Sequence, residues 1–232
     1  MAGNGHSTPE RVPVIAIDGP SASGKGTVAQ AVARALGFHY LDSGALYRLV
    51  ALAAWRDGLI QERVMPDREA AISAVAAALD VVFEDGEIVL RGERATEAVR
   101  TEQMSAFSSQ VAVLPGVRTA LLGRQRAFRR PPGLVADGRD MGSVVFPDAT
   151  LKVFLTATPE VRAERRHKQL MEKGISANIA TLVADLRERD ERDAARPVAP
   201  LRQQPDARLL DTSAMTATQA VERILEWFRS KE

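Results

Sequence analysis

The residues 19–27, GPSASGKGT, constrain the fold of this chain more than any other stretch. They lie between a short apolar run, Val14–Asp18, which has the profile of a buried strand, and a segment with apolar residues at helical spacing. Glycines at both ends of such a loop permit a tight turn, whose backbone N–H groups converge on a phosphate together with the helix start. Lys25 would then reach the β- and γ-phosphates. This order predicts a nucleotide-phosphate site, and a chance match within a Gly/Ser turn is the disfavoured alternative.

The loop departs from the common pattern G-x-x-x-x-G-K-[ST] at Gly26, where a serine or threonine would supply a hydroxyl to Mg²⁺. The metal would then rest mainly on the nucleotide phosphates and water, with help from Thr27. Asp137, at the end of a predicted strand, could act as an outer carboxylate, although an ordinary turn aspartate explains it equally well. The protein ligand of the metal is therefore unassigned.

The composition narrows the class of partner. The 232 residues include 31 basic and 30 acidic ones, a net charge of +1, whereas nucleic-acid-binding proteins usually show a basic excess. The absence of cysteine excludes disulfides and Cys-bound metals, and three scattered histidines argue against zinc. The longest apolar run, residues 49–55, is too short to span a bilayer. We expect a cytoplasmic monomer that binds neither nucleic acid nor membrane, with residues 1–12 as a polar tail.

Apolar runs typical of strands alternate with amphipathic segments along most of the chain. This alternation predicts an α/β fold with a parallel sheet covered by helices on both faces. Ser43 is expected to cap the helix that follows the second strand. The rhythm breaks between about residues 61 and 108, where two β-rich runs flank Asp85 and Gly86, a strong signal for a tight hairpin. We interpret this part as a small α+β insertion.

Two arginine-bearing motifs follow predicted strands, at the edge where ligands bind in open α/β sheets. In LDSGALYR, Ser43 stands at a helix start and Arg48 lies in its first two turns, but a capped helix with a solvated arginine explains this equally well. In ADGRDMGSVVFPDA, glycines flank Arg139 and Asp140 and indicate a backbone that approaches a ligand closely. This arginine could serve a phosphate and the aspartate a base edge. A salt-bridged turn is the alternative.

A third motif, SSQVAVLPGVR, places Ser109 and Arg118 on either side of a helix start at Pro115. The arginines that follow on this helix, Arg124 and Arg126, are expected to be surface charges. The motif thus offers one hydroxyl and one guanidinium close to the predicted sheet edge.

A fourth motif, LRERDERDAARP, is rich in arginine rather than lysine just before a loop. On a helix ended by Pro197, its spacing puts four residues on one face, namely Arg189, Arg192, Asp193 and Arg196. A solvated face with pairs such as Glu188 to Arg192 is the ordinary explanation of such a charge run. The planar guanidinium of arginine, however, suits bidentate binding of phosphate by a mobile cover.

These motifs, taken together and in this order, resemble the bacterial cytidylate kinases, from residue 13 to the C-terminus. The resemblance implies a P-loop kinase core at residues 13–60 and 109–232, a nucleoside-monophosphate-binding insertion at 61–108 and a short lid at about 188–205. It also implies the reaction, in which the γ-phosphoryl group of ATP passes to CMP or dCMP, with Mg²⁺ accompanying ATP.

The resemblance further implies roles for individual residues. The ATP phosphates would be held by Gly19, Pro20, Ser21, Ala22, Ser23, Gly24, Lys25, Gly26 and Thr27. The CMP phosphate would be bound by Ser43, Arg48 and Arg139, and cytosine by Ser109, Arg118 and Asp140. Asp193 would bind the ribose hydroxyls, with Arg189 and Arg196 closing over the phosphates. The catalytic residues would be Lys25, Arg139, Arg189 and Arg196.

Two other functions remain open at this point. One is a P-loop kinase for another small acceptor, such as UMP, AMP or shikimate, against which the donor and acceptor pattern of Ser109, Arg118 and Asp140 argues. The other is a nucleotide-dependent switch protein such as a GTPase. The chain contains no N-K-x-D motif for reading guanine, and it has two sets of arginines where a switch needs one. A nucleic-acid-binding module is the weakest alternative.

Overall fold

The computed structural model describes residues 11–84, 87–196 and 198–231. The strands, in chain order, are β1 Val14–Asp18, β2 His39–Asp42, β3 Val81–Glu84, β4 Glu87–Leu90, β5 Glu93–Arg94, β6 Leu134–Gly138, β7 Leu151–Thr156 and β8 Arg208–Asp211. Five of them form a parallel sheet in the order β2-β6-β1-β7-β8. The other three form a small antiparallel sheet in the order β3-β4-β5.

The helices cover both faces of the parallel sheet. They are α1 Lys25–Leu36, α2 Ser43–Arg56, α3 Glu69–Ala77, α4 Glu102–Val111, α5 Pro115–Arg126, α6 Pro159–Glu172, α7 Ile179–Ala194 and α8 Ala217–Arg229. The predicted α/β fold, with a mostly parallel sheet and a small second sheet, is confirmed.

The central strand β1 is buried along its whole length, VIAID, because both of its faces are covered by helices. Val14 and Ala16 point into a core shared with α2, α4 and α5, whereas Ile15 and Ile17 point into a core shared with α1 and α8. This alternation follows from the period of two in a strand. The sheet is therefore held rigidly from both sides, and its carboxyl edge offers a fixed platform.

The middle of the chain contains α3 and the antiparallel sheet. Their apolar side chains, including Ile72 and Leu90, and Leu79 between them, pack into the same core as α2 and α5. The predicted hairpin strands pair as β3 and β4, while the turn residues Asp85 and Gly86 lie outside the described residues. The domain boundaries at 61 and 108 stay a prediction.

Three details concern the ends of segments. The predicted cap Ser43 is wrong, because Asp42 caps α2 by accepting the N–H of Ala45 at 2.9 Å and Ser43 is the first residue of the helix. The cap falls one residue earlier because the aspartate side chain ends β2 and can turn back onto the helix. Residues 1–10 of the predicted tail, and Pro197 as the end of α7, lie outside the described residues. Within residues 11–84, 87–196 and 198–231, no helix has the length and apolar character needed to cross a membrane.

Candidate active site

A polar cavity of about 680 Å³ opens at the carboxyl edge of the parallel sheet, where β1, β2 and β6 end. Ligands of open α/β sheets bind at this edge, because the loops after neighbouring strands converge there. The cavity brings together Lys25 of the Gly-rich loop and residues from all four arginine motifs, including Arg48, Arg139, Arg118 and Arg189.

The Gly-rich loop follows β1 directly and has a conformation that only small residues allow. A Cβ added at Gly19 would lie 2.0 Å from the carbonyl oxygen of Leu155 in β7, so the loop leaves the sheet through a gap without room for a side chain. Gly24 has a φ of 90° and forms the N-cap of α1. Because Gly24 has no side chain to accept from the first N–H groups of this 12-residue helix, they are available to an anion.

Lys25, the first residue of α1, folds its side chain back over the loop. Its Nζ donates a hydrogen bond to the carbonyl oxygen of Pro20 at 3.2 Å. Burial, followed by the positive charge of Arg139, lowers the pKa of Lys25, and the carboxylate of Asp137 opposes this only in part. The ammonium group thus lacks a full counter-charge, and a phosphate anion would supply it.

Two arginines of α6 bind backbone carbonyl groups of the Gly-rich loop. Arg162 is buried, binds Asp190 of α7 through both terminal nitrogens at 3.1 and 2.5 Å, and donates to the carbonyl oxygen of Ser21 at 3.2 Å. Arg165 donates to the carbonyl oxygen of Ser23 at 2.9 Å. With these carbonyls bound from outside, the loop keeps a fixed shape. Neither arginine lies in one of the sequence motifs described above.

Gly26 lies beside the carboxylate of Asp137. A Cβ at this position would be 3.3 Å from Oδ2 of Asp137 and 3.6 Å from the hydroxyl of Tyr40, which donates to the same oxygen at 2.7 Å. Burial raises the pKa of Asp137, with Asp42 adding to the effect. The missing side chain at Gly26 therefore leaves room for a carboxylate that faces the loop. In the described part of the chain, no group of three or more His, Cys, Asp or Glu side chains could hold a metal ion.

Arg118 and Asp140 form a buried ion pair on the opposite side of the cavity. Arg118 also donates to the carbonyl oxygen of Ala112 at 3.2 Å. Nearby on α4, the hydroxyl of Ser109 is buried and finds no hydrogen-bond partner within residues 11–84, 87–196 and 198–231. A buried hydroxyl without a partner is unfavourable by about 1–3 kcal/mol, so a ligand that bonds it would stabilise this arrangement.

Asp193 lies between Arg196 of the fourth motif and Arg139 at the sheet edge. Its Oδ2 accepts from Nε of Arg139 at 2.8 Å, and its Oδ1 accepts from Arg196. Burial acts to raise the pKa of Asp193, but these two arginines outweigh it, so that the pKa lies below its ordinary value. Asp193 is buried and does not line the cavity. It acts here as the anchor of two cations.

The remaining arginines also face the cavity with spare hydrogen-bond donors. Arg48 binds Asp42 at 2.7 Å, and Arg189 donates to the hydroxyl of Ser105 at 2.9 Å. The Nε atoms of Arg48, Arg189 and Arg196 are buried and have no partner among the residues that the structure describes. Burial, followed by repulsion from Arg139, lowers the pKa of Arg189 to about 10. Such a cluster of cations is unfavourable without an anion to bind.

A second cavity of about 300 Å³ lies on the other side of the Gly-rich loop. It shares Ala22, Gly24 and Thr27 with the first cavity and extends to the residues that follow β8, including Thr212 and Met215. A ligand whose phosphates lie at the loop would thus have room for an attached group on this side.

The comparisons with known proteins agree with this geometry. The sequence model of the family described as "Cytidylate kinase" matches residues 15–230. The chain belongs to the cytidylate kinase family. The resemblance based on the motifs is confirmed by this match, which covers the parallel sheet, the helices around it and every motif named above.

Curated members of the cytidylate kinase family are similar over nearly the full length. A protein of Chromobacterium violaceum is 61% identical over 221 residues, which cover 95% of this chain and 97% of the relative. A protein of Bordetella bronchiseptica is 57% identical over 218 residues, which cover 94% of this chain and 96% of the relative. A protein of Burkholderia pseudomallei is 57% identical over 217 residues, covering 94% and 93% respectively. All three are described as "Cytidylate kinase".

Most site residues predicted from the resemblance to the cytidylate kinase family line the larger cavity. They are Ser21, Ala22, Gly24, Lys25, Gly26, Thr27, Ser43, Arg48, Ser109, Arg118, Arg139, Asp140, Arg189 and Arg196. Gly19, Pro20 and Asp193 line neither cavity described here, and Ser23 lines the smaller one. The individual roles of these residues stay predictions.

The structure also places residues at the cavity that the motifs did not indicate. Arg166 of α6 lines it and pairs with Glu102 at the start of α4. Arg192 also lines the cavity, but it is half exposed and pairs with Glu188 at 3.6 Å, the kind of pair expected on a solvated face. Arg124 and Arg126 donate to backbone carbonyls of Leu79, Val144 and Val145 rather than standing free. Pairings between distant segments leave no local pattern in the sequence.

Proposed function

We propose that this protein transfers the γ-phosphoryl group of ATP to CMP or dCMP, giving ADP and CDP or dCDP. One observation carries the proposal: a single cavity has a Gly-rich loop with Lys25 on one side and, on the other, a separate set of arginines beside the Arg118–Asp140 pair. Two phosphate sites in one cavity suit a donor and an acceptor nucleotide. Membership of the cytidylate kinase family supports the same reaction.

The donor would bind at the Gly-rich loop. The N–H groups at the start of α1 and the ammonium group of Lys25 would bind the β- and γ-phosphates. The smaller cavity, which adjoins the loop through Ala22 and Thr27, would receive the nucleoside part of ATP. Its lining is mostly apolar around Met215 and Ala220, which suits the face of a base.

The phosphate of the acceptor would bind where β2 and β6 end. Ser43 is buried there as the first residue of α2, and its hydroxyl lies close to Gly138, where an added Cβ would meet it at 2.5 Å. Arg48 of α2 and Arg139, the residue after β6, line the cavity beside it. The unpartnered Nε of Arg48 leaves a donor for phosphate oxygens.

The base would be read by the side chains of Ser109, Arg118 and Asp140. Cytosine carries an amino donor at N4 and acceptors at N3 and O2, so Asp140 and Ser109 can accept from N4 while Arg118 donates to N3 or O2. Uracil reverses the donor and acceptor at this edge and would set an oxygen against the buried carboxylate of Asp140. Mismatches of this kind lower the rate by up to about 10⁴-fold. UMP should therefore be a poor acceptor.

The chemistry requires positioning and charge neutralisation rather than a general base. An oxygen of the acceptor phosphate is already anionic and attacks the γ-phosphorus in line, so no proton has to be removed first. Lys25, Arg139, Arg189 and Arg196 would offset the charge on the phosphoryl group as it moves. This explains a site dense in arginine in which no histidine is needed.

The residues beside the loop fit a magnesium ion that is held mainly by the nucleotide. The carboxylate of Asp137 and the hydroxyl of Thr27 are hard oxygen donors of the kind that Mg²⁺ takes. Gly26 offers no side-chain oxygen, and its small size leaves the space beside Asp137 open. Bound with ATP, Mg²⁺ would neutralise part of the phosphate charge.

The lid at about 188–205 would close over both nucleotides. Arg189 and Arg196 lie at its start, and Asp193 holds Arg196 and Arg139 together. Binding of the ribose hydroxyls by Asp193 would require its carboxylate to share its hydrogen bonds with them. Residues 13–60 and 109–232 would then form the kinase core and 61–108 the nucleoside-monophosphate-binding insertion. A cytoplasmic monomer remains our prediction from composition.

An ADP-release assay coupled to a spectroscopic readout tests the function. The protein is given ATP with Mg²⁺ and, in parallel, CMP, dCMP, UMP, AMP and shikimate. We expect turnover with CMP and dCMP and much slower turnover with the other three. Equal rates with CMP and UMP would contradict the base-reading assignment, and turnover only with AMP or shikimate would point to another kinase. ADP release without any acceptor would indicate a nucleotide-dependent switch.

A further inference from the structure

Asp18 is a buried carboxylate at the point where β1 ends and the Gly-rich loop begins. Its Oδ1 accepts the backbone N–H of Met141 at 2.8 Å, and its Oδ2 accepts the backbone N–H of Gly142 at 2.8 Å. These residues lie 123 and 124 positions further along the chain. Both oxygens of one side chain thus bind the turn after β6.

The burial of this group is unfavourable for the fold alone. Burial raises the pKa of Asp18 to about 7 despite the bonds from Gly142 and Met141, and the neighbouring Asp140 adds to the rise while Arg139 opposes it. An apolar side chain would fill the same place without this desolvation. Buried groups with strongly shifted pKa values are common at functional sites, which favours a functional role for the contacts that Asp18 makes.

The bonds from Asp18 fix a short segment that carries two predicted site residues. Arg139 and Asp140 immediately precede the bonded N–H groups of Met141 and Gly142, and the N–H of Gly19 donates to the carbonyl oxygen of Gly138 at 3.3 Å. The end of β1 therefore binds residues 138–142 on both sides of the Arg139–Asp140 pair.

The turn has little room to adopt another shape. A Cβ at Gly138 would lie 2.5 Å from the hydroxyl of Ser43 and 2.9 Å from the side chain of Met141, which is fully buried. A Cβ at Gly142 would lie 3.1 Å from the side chain of Lys152. The geometry thus depends on a close-packed backbone, with Asp18 as its polar anchor.

We propose that Asp18 is a positioning residue for acceptor selection: by binding the N–H groups of Met141 and Gly142 it holds Arg139 and Asp140 in the cavity, and it joins the donor loop to the acceptor site. The inference rests on the proposed function for the identity of the base. Asp18 itself lines neither cavity. Its effect should therefore appear in the choice of acceptor and not in the affinity for ATP.

The test compares Asp18→Asn with the parent protein in steady-state assays that vary CMP, UMP and ATP separately. The asparagine keeps the size of the side chain but turns an amide N–H₂ toward one backbone donor, so one of the two bonds is lost. We expect kcat/KM for CMP to fall by about tenfold to a hundredfold, because small misplacements of binding groups have effects of that size. The ratio of kcat/KM between CMP and UMP should narrow, while KM for ATP stays within about threefold.

A merely structural role gives a different result, because a partly unfolded enzyme loses activity with CMP and UMP in equal proportion and keeps their ratio. Asp211→Asn is the matched control: this aspartate also ends a strand of the sheet and accepts a backbone N–H, from Ser213 at 2.8 Å. It should keep the CMP to UMP ratio of the parent. Thermal unfolding of each variant establishes the folded fraction.

Each outcome decides between the two proposals. A parent protein that does not prefer CMP over UMP refutes the base reading in the proposed function, whatever the variant does. A parent that prefers CMP, with an Asp18→Asn variant that keeps the same ratio, overturns the inference. Asp18→Ser, which retains one acceptor, provides a second variant and should narrow the ratio in the same way. If neither variant folds, Asp18 is a folding residue and its assignment as a positioning residue is wrong.

Discussion

Arg139 and Asp193, 54 residues apart in the chain, are joined by a hydrogen bond of 2.8 Å from Nε to Oδ2. Arg139 follows β6 at the sheet edge, whereas Asp193 lies near the end of α7, at the predicted lid. The same aspartate binds Arg196. One carboxylate thus fixes Arg139 of the acceptor-phosphate site relative to Arg196, one of the two arginines that would cover the phosphates.

Asp193→Asn should destabilise the fold, because it leaves two buried guanidinium groups without their counter-charge. We expect the free energy of unfolding to fall by about 3–5 kcal/mol, the usual effect of breaking a buried ion pair. CMP should raise the melting temperature of the variant more than that of the parent, since its phosphate replaces the lost anion. The control Asp57→Asn breaks an exposed pair with Arg91 and should change stability by about 1 kcal/mol or less. If CMP raises the melting temperature of Asp193→Asn less than that of the parent, the prediction for this carboxylate is wrong.

Asp140→Asn should relax the choice between CMP and UMP. The amide can donate to O4 of uracil where the carboxylate cannot, so the ratio of kcat/KM between CMP and UMP should fall at least about tenfold, within the range that hydrogen-bond mismatches give. The affinity for ATP, measured by calorimetry, should stay close to that of the parent. Asp148→Asn is the control, because it removes the carboxylate that pairs with Arg129 at 2.5 Å on another side of the molecule. A collapse of ATP affinity would instead assign Asp140 to the donor site or to the fold.

The contrast between local and distant contacts explains what the sequence could predict. The Gly-rich loop, the glycines around Arg139 and Asp140, and the strand β1 were recognisable because each depends on residues adjacent in sequence or spaced at a regular period. The pairs Asp18 with Gly142, Arg162 with Asp190 and Arg166 with Glu102 were not, because their partners are 124, 28 and 64 residues apart. Only folding brings such partners together, and no periodicity records them.

The charge run in the fourth motif shows a second limit of prediction from sequence, which concerns burial. Helical spacing correctly places Arg189 and Asp193 on one side of α7, but it does not separate the buried Asp193 from the half-exposed Arg192. Neighbouring positions differ in burial because α7 packs against α6 and Asp193 is turned toward Arg139. Both sides of α7 carry charged residues, so its amphipathic pattern is weak. The sequence alone therefore does not predict which of these residues are buried.

Lys25→Met should abolish most turnover while the fold persists. Without the ammonium group, the charge that develops on the phosphoryl group lacks a partner, and kcat should fall by about 10²- to 10³-fold. Because burial already lowers the pKa of Lys25, the loss of this charge should leave the melting temperature unchanged or raise it. Lys231→Met, at an exposed lysine beyond α8, is the matched control. Substantial residual turnover in Lys25→Met would refute its role.

The raised pKa of Asp18 should make the free energy of unfolding depend on pH, and the sign of this dependence can be predicted. Its folded-state pKa of about 7 lies above the ordinary value of 3.8, so between these values the folded protein binds more protons than the unfolded chain, and stability falls as the pH rises. Asp18→Asn cannot titrate. From about pH 4 to about pH 8, the free energy of unfolding of the variant relative to the parent should therefore rise by up to about 4 kcal/mol. Urea unfolding of both proteins across this range measures it, and a constant difference would contradict the raised pKa.

Gly26→Ala tests whether the glycine at this position, where the common loop has serine or threonine, matters for activity as well as for stability. Gly26 is the second residue of α1, and alanine is a better helix former than glycine by about 1 kcal/mol, so the variant should be as stable as the parent or more so. The new Cβ, however, would stand 3.3 Å from Oδ2 of Asp137 and displace a carboxylate that Tyr40 holds.

Gly26→Ala should therefore lower kcat/KM for Mg²⁺-ATP by about tenfold and raise the Mg²⁺ concentration needed for half-maximal rate. The matched control is Gly123→Ala in α5, another helical glycine, where an added Cβ meets nothing within 4 Å. It should gain similar stability and keep full activity with the same Mg²⁺ requirement. If both alanine variants behave alike, the space beside Asp137 has no functional role, and Gly26 is a neutral departure from the common loop.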